Sequence, residues 1–70
     1  MLKLMSELLR LFDCDEGVSG DCFEFAVAMF TTVLGSKAAK VFSQYVDATD
    51  GHFYLKRGTF DDCWLQMIDA

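Results

Sequence analysis

The 70-residue sequence contains no proline, one histidine, one tryptophan and only six basic residues. Without proline, nothing forces a break in a helix, so glycine and short polar residues must mark the ends of the secondary-structure elements. The longest apolar run, 25–34, is far below the roughly 20 residues that a transmembrane helix needs, and residues 1–12 lack the pattern of a signal peptide. These absences predict a single small cytoplasmic domain over residues 1–70, with no membrane partner.

The motifs of the common enzyme and metal classes are also missing. There is no glycine-rich phosphate loop, no pair of histidine ligands and no serine-centred elbow. Cys14, Cys22 and Cys63 form no C-x-x-C pair, and their odd number indicates reduced thiols. A zinc site of these cysteines with His52, or a Cys14 or Cys63 nucleophile with His52 as its base, finds no support in the spacing. We predict that the chain is not an enzyme and requires no cofactor.

Positive charge is scarce as well, since eleven acidic residues give a net charge of -5. Such a protein repels phosphates unless Lys37, Lys40, Lys56 and Arg57 converge into one patch, so direct nucleic-acid binding is not expected. Hydrophobic residues, in contrast, make up 53% of the chain. A domain this small buries only about 60% of the surface that its unfolded chain exposes. We therefore expect apolar side chains outside the core, covered by a second copy or by another protein.

Apolar residues recur at helical spacing in four segments, which are 2–13, 21–34, 37–46 and 60–68. Asp21 and Glu24 have the spacing of a capping box at the start of the second helix, and Gly35 is placed to end it. Ser36 and Thr59 are the predicted caps of the third and fourth helices. The predicted fold class is mostly α, with four short helices in two helix-loop-helix units.

The segment 41–56 is open to two interpretations. The Asp50-Gly51 step is a strong turn signal, and it favours a hairpin in which 41–46 pairs with 52–56. The segment 37–40, Lys-Ala-Ala-Lys, is a good helix start and a poor strand, which favours a helix up to Val46 and a loop after it. His52–Leu55 is β-prone, so short β pairing is predicted there.

Side-chain oxygens between residues 13 and 24 have the spacing of a calcium-binding loop. The candidate ligands, at loop positions 1, 3, 7, 9 and 12, are Asp13, Asp15, Ser19, Asp21 and Glu24. With apolar helical residues on both sides, this segment resembles the EF-hand family of helix-loop-helix proteins. A second loop near 47–53 completes the resemblance to an EF-hand pair over nearly the whole chain.

The sequence departs from the EF-hand pattern at several positions. Val18 stands where the family has its turn glycine, and Gly17 removes the ligand expected just before it. The second loop is one residue short, and its last ligand position falls near Arg57. The resemblance therefore implies a degenerate pair with weak calcium binding or none, and a groove that accepts an amphipathic helix.

The predicted function is that of a small acidic interaction module that binds a partner helix or itself, as a homodimer or a heterocomplex. The predicted contact residues are Leu4, Leu11, Phe23, Phe30 and Trp64. The alternative is a free-standing acidic inhibitor, of the kind phages use against host proteins, whose carboxylates mimic a nucleic-acid backbone or plug a basic site. The carboxylates in question are Asp13, Asp15, Glu16, Asp21 and Glu24.

Overall fold

The computed structural model covers residues 1–70 and contains four helices and three short strands. The helices are α1 (Leu2–Arg10), α2 (Gly20–Leu34), α3 (Ser36–Gln44) and α4 (Phe60–Asp69). The strands are β1 (Val18–Ser19), β2 (Val46–Thr49) and β3 (His52–Leu55). The predicted mostly α fold with short β pairing is confirmed. None of the helices has the length and apolar character needed to cross a membrane.

The three strands form an antiparallel sheet with β3 in the centre, in the order β1-β3-β2. β2 and β3 are joined at Asp50 and Gly51, which have φ angles of 52° and 78°. Positive φ at both positions is what a two-residue type I′ hairpin turn requires. Each interpretation of segment 41–56 was therefore half right: the helix ends at Gln44 and a short hairpin follows. The prediction of a loop directly after Val46 was wrong.

The start of α2 also differs from the prediction. The helix begins at Gly20, and the Ser19 hydroxyl accepts a hydrogen bond from the Cys22 backbone N–H at 3.2 Å. Ser19 is thus the N-cap, and the capping box of Asp21 and Glu24 does not form. The reason is that β1 pairs with β3, which fixes Ser19 in extended backbone (φ -67°, ψ 164°), the conformation an N-cap residue needs.

Gly35 is the only residue between α2 and α3. Its N–H donates to the carbonyls of Phe30 and Thr31 and its φ is 105°, so it ends α2 as predicted. Ser36, the predicted cap of α3, is instead the first residue of that helix. Thr59 precedes α4 as predicted, but its hydroxyl donates to the Lys56 carbonyl and does not cap the helix.

The core consists of 11 buried residues, all hydrophobic. They are Met5, Leu9, Phe12, Ala26, Phe30, Ala38, Ala39, Phe42, Leu55, Cys63 and Met67. Phe42 on α3 is the centre of this core, with its ring centroid 5.0 Å from that of Phe12 and 4.8 Å from that of Phe30. Because these rings come from α3, α2 and the residues after α1, aromatic packing ties three helical segments together.

Candidate interaction surfaces

One side of α1 carries apolar side chains that the core does not cover. Met1, Leu4 and Leu11 are 75%, 60% and 54% exposed, and Leu8 between them is half-buried. Their spacing of three, four and three residues places them on one face of the helix. We call Met1, Leu4, Leu8 and Leu11 the leucine stripe.

The remaining exposed apolar residues are more scattered. Leu2 on α1 is 55% exposed but lies off the leucine stripe, Phe25 on α2 is 57% exposed, and Leu65 and Ile68 on α4 are 58% and 45% exposed. The inner side of α4 is formed by Cys63 and, one turn later, Met67, both of which are buried. Scattered apolar residues are normal on protein surfaces, whereas a row over consecutive turns of one helix is not. The leucine stripe is therefore the candidate site.

The predicted contact residues divide into two groups. Leu4 and Leu11 are exposed and lie in the leucine stripe. Phe30 is completely buried, so the prediction that it contacts a partner was wrong. The Phe23 ring stacks on Phe53 with centroids 4.4 Å apart, and Trp64 is half-buried against the core. Most of the surface of these two rings is thus used inside the domain.

The five predicted calcium ligands are not gathered around one point. No group of three or more histidine, cysteine, aspartate or glutamate side chains is close enough to hold a metal ion. Asp15 instead lies 3.3 Å from the Arg57 guanidinium, and Ser19 is used as the cap of α2. Weak calcium binding at Asp13, Asp15, Ser19, Asp21 and Glu24 stays a prediction that a titration must test.

The sheet bears on the EF-hand resemblance in two ways. β1 lies in the first loop and pairs with β3, so the two inter-helix segments are joined by short strands. The second segment also contains a complete hairpin, whereas the first contains a single strand. The two halves are therefore not copies of one unit, and Asp47 lies in β2 rather than in a loop.

The three cysteines lie in different environments, with Cys14 exposed, Cys22 half-buried and Cys63 buried. Burial, together with the nearby charge of Asp62, raises the pKa of the Cys63 thiol from 9.0 to about 12. The thiolate is the reactive form of cysteine, so this side chain is inert at neutral pH. The spacing gave no support for a Cys63 nucleophile, and the environment of this thiol argues against one as well.

We expect a thiol reagent at neutral pH to modify Cys14 in the folded protein and to leave Cys63 untouched until denaturant is added.

The raised pKa has a second consequence, because the unfolded chain ionises Cys63 at lower pH than the folded one. The free energy of unfolding should therefore fall as the pH rises from about 9 to about 12. Mass spectrometry of the labelled protein and urea melts across this range measure both effects. Rapid labelling of Cys63 without denaturant would contradict the expectation.

The basic residues are distributed unevenly over the surface. Lys37 and Lys40 lie exposed on α3, and the Lys56 ammonium donates to the Gln44 carbonyl at the end of that helix, at 3.4 Å. Lys37, Lys40 and Lys56 thus lie along α3. Arg57 is turned toward Asp15 instead.

The chain matches no protein-family model, no curated protein and no solved structure. Its function therefore has to be argued from its own surfaces. Two of them stand out, the leucine stripe of α1 and the polar outer face of α3.

Proposed function

We propose that the protein is a small interaction module that binds the apolar face of another helix through the leucine stripe of α1. The observation that carries the proposal is the exposure of Met1, Leu4 and Leu11 by half or more on a single helix face. The same helix buries Met5 and Leu9 on its inner side and packs Leu8 partly against the core, so Met1, Leu4 and Leu11 are surplus to the needs of the domain's own core. Helix-in-groove recognition uses anchors at this spacing.

The size of the stripe sets the strength of the contact. A stable interface buries about 800 Å² on each partner, against a total surface of 4465 Å² for this protein. Four side chains on three turns of one helix supply only part of that area. We therefore propose a weak and reversible contact, with a Kd of about 1 μM or higher, whose simplest occupant is α1 of a second copy.

Neither metal nor cofactor is needed for this mode of binding, because burial of apolar side chains supplies the free energy. Any calcium bound at residues 13–24 would act as an accessory to it. The proposed module thus resembles an EF-hand pair in which calcium does not drive the binding of the partner.

An acidic inhibitor is the second candidate, and one observation favours it. The five carboxylates that the sequence singled out are all exposed. They are Asp13, Asp15, Glu16, Asp21 and Glu24. One of them, Asp15, is partly neutralised by Arg57, which reduces the charge this surface presents to a basic target.

The test is sedimentation equilibrium of the wild type and of a Leu4→Glu/Leu11→Glu variant. We expect a monomer–dimer equilibrium in the wild type, and at least a tenfold weaker dimer in the variant, because four charges would enter the contact. A synthetic peptide of residues 1–12 should compete with the dimer.

Two matched variants make the test specific. Ala28→Glu/Thr32→Glu adds the same charge on the exposed side of α2 and should leave the dimer intact. Asp15→Lys/Glu16→Lys should also leave the dimer intact. An acidic inhibitor, in contrast, would lose its inhibitory function in this variant. A wild type that is strictly monomeric and indifferent to the peptide would refute the stripe as a docking surface.

A further inference from the structure

We infer that the outer face of α3 is a binding surface for double-stranded DNA. This inference concerns a different helix from the leucine stripe and does not depend on the proposed function. We call the exposed residues of this helix, together with the lysine that joins its end, the basic face. They are Ser36, Lys37, Lys40, Ser43, Gln44 and Lys56.

The first observation is the charge of this region. The protein has eleven acidic residues, yet none lies between positions 25 and 46, which includes most of α2 and all of α3. Two carboxylates lie at the C-terminal end of α3. Asp47 follows it in β2, and Asp62 accepts a hydrogen bond from Tyr45, its C-terminal cap residue. Lys37 and Lys40 are therefore the only charged side chains on the first two turns of α3.

The second observation is that a lysine distant in sequence joins the lysines of α3. The Lys56 ammonium lies 3.4 Å from the Gln44 carbonyl because the hairpin folds back, and the Lys56 N–H also bonds the Tyr45 carbonyl. Lys37, Lys40 and Lys56 thus lie along α3, and Lys56 shares its end of the helix with Asp47 and Asp62. Such a group of lysines attracts phosphates even when the net charge of the whole protein is negative. Salt screens the charges that lie more than about 10 Å away, so the nearby lysines dominate the local field.

The third observation is the polar character of the face. Apart from the lysines it offers hydroxyl and amide groups, while the aliphatic residues of α3 are buried (Ala38 and Ala39) or half-buried (Val41) against the core. A shallow groove of about 400 Å³ runs beside it, lined by Val27 and Thr31 of α2 and by Ser36, Ala39, Lys40, Ser43 and Gln44 of α3. Protein interfaces are depleted in lysine and built around apolar anchors, so this face suits a protein partner poorly. Serine, lysine and glutamine, in contrast, bond phosphates and base edges.

The dimensions of α3 fit a duplex. With its side chains an α-helix is about 10–12 Å in diameter, and the major groove, which is about 12 Å wide, admits it. The nine residues of α3 extend about 13 Å along such a groove. Lys37 and Lys40 would then meet phosphates at the groove edge.

Fluorescence anisotropy of a labelled random-sequence DNA duplex of about 20 base pairs tests this inference. We expect a Kd of about 10⁻⁴ to 10⁻⁵ M near 50 mM salt. Three lysine–phosphate contacts predict a slope of about -3 in log K against log salt. In a Lys37→Ala/Lys40→Ala variant the slope should shrink by about 2 and affinity should fall at least tenfold. Alanine is the best helix former, so this variant should fold.

The control removes two cations elsewhere, in Lys3→Ala/Arg57→Ala, and makes the same change in net charge. It should bind DNA within about twofold of the wild type, because neither residue lies on the basic face. Equal losses in the two variants would overturn the inference. So would the absence of binding at about 50 mM salt, or equal binding of single-stranded DNA or polyglutamate.

Discussion

Replacing Phe42 by alanine is expected to destabilise the domain by about 4 kcal/mol, the range found for buried phenylalanines. The side chain is completely buried, and its ring packs against those of Phe12, Phe23 and Phe30. A domain of this length has a total stability of about 4–10 kcal/mol. The substitution should therefore remove at least about two fifths of that stability. Circular dichroism and urea melts would show the loss directly.

Phe25→Ala is the matched control for this prediction. It removes the same ring from a position that is 57% exposed on α2. We expect a change within about 0.5 kcal/mol, as for other surface substitutions. Similar losses at positions 42 and 25 would mean that the aromatic cluster does not hold the core together.

Replacing Gly17 by alanine is expected to cost about 3 kcal/mol, for two reasons that add. The residue has a φ of +72°, a conformation in which a side chain is strained. A Cβ there would also lie 2.5 Å from the backbone carbonyl oxygen of Phe53. Neither backbone can move aside without separating β1 from β3. Since 1 kcal/mol shifts the melting temperature of a domain this small by about 4–8 °C, the melting temperature should fall by about 15 °C.

Gly58→Ala separates the two causes. Gly58 has nearly the same φ, +75°, but nothing lies within 4 Å of the added Cβ. This variant should lose only about 1 kcal/mol, the cost of the backbone strain alone. If the two variants melt at the same temperature, the close approach of Gly17 to β3 has no energetic weight.

The features predicted correctly are those that short stretches of sequence determine. The inner face of α1 follows from the helical spacing of Met5, Leu9 and Phe12, all of which are buried. The Asp50-Gly51 turn follows from the backbone preferences of those two residues. Leu4 and Leu11 lie off the face that Met5, Leu9 and Phe12 share, and that is why these two were predicted to contact a partner.

The features predicted wrongly depend on contacts between distant parts of the chain. Ser19 and Asp21 are both good N-caps, and the pairing of β1 with β3 selects Ser19. α2 is apolar on more than one side, so its sequence did not show that Phe30 faces the core and Phe25 faces solvent. The basic face depends on Lys56, which reaches α3 only through the hairpin.

The arrangement of the sheet also has a consequence for how the native state fluctuates. β3 is held on one side by the four residues of β2, next to it in the chain, and on the other side by the two residues of β1. Detachment of β1 breaks few bonds, so amide protons there should exchange with deuterium before those of the hairpin. Such a local opening would expose the edge of β3. The 11–19 segment therefore protects β3 from pairing with a strand of another molecule.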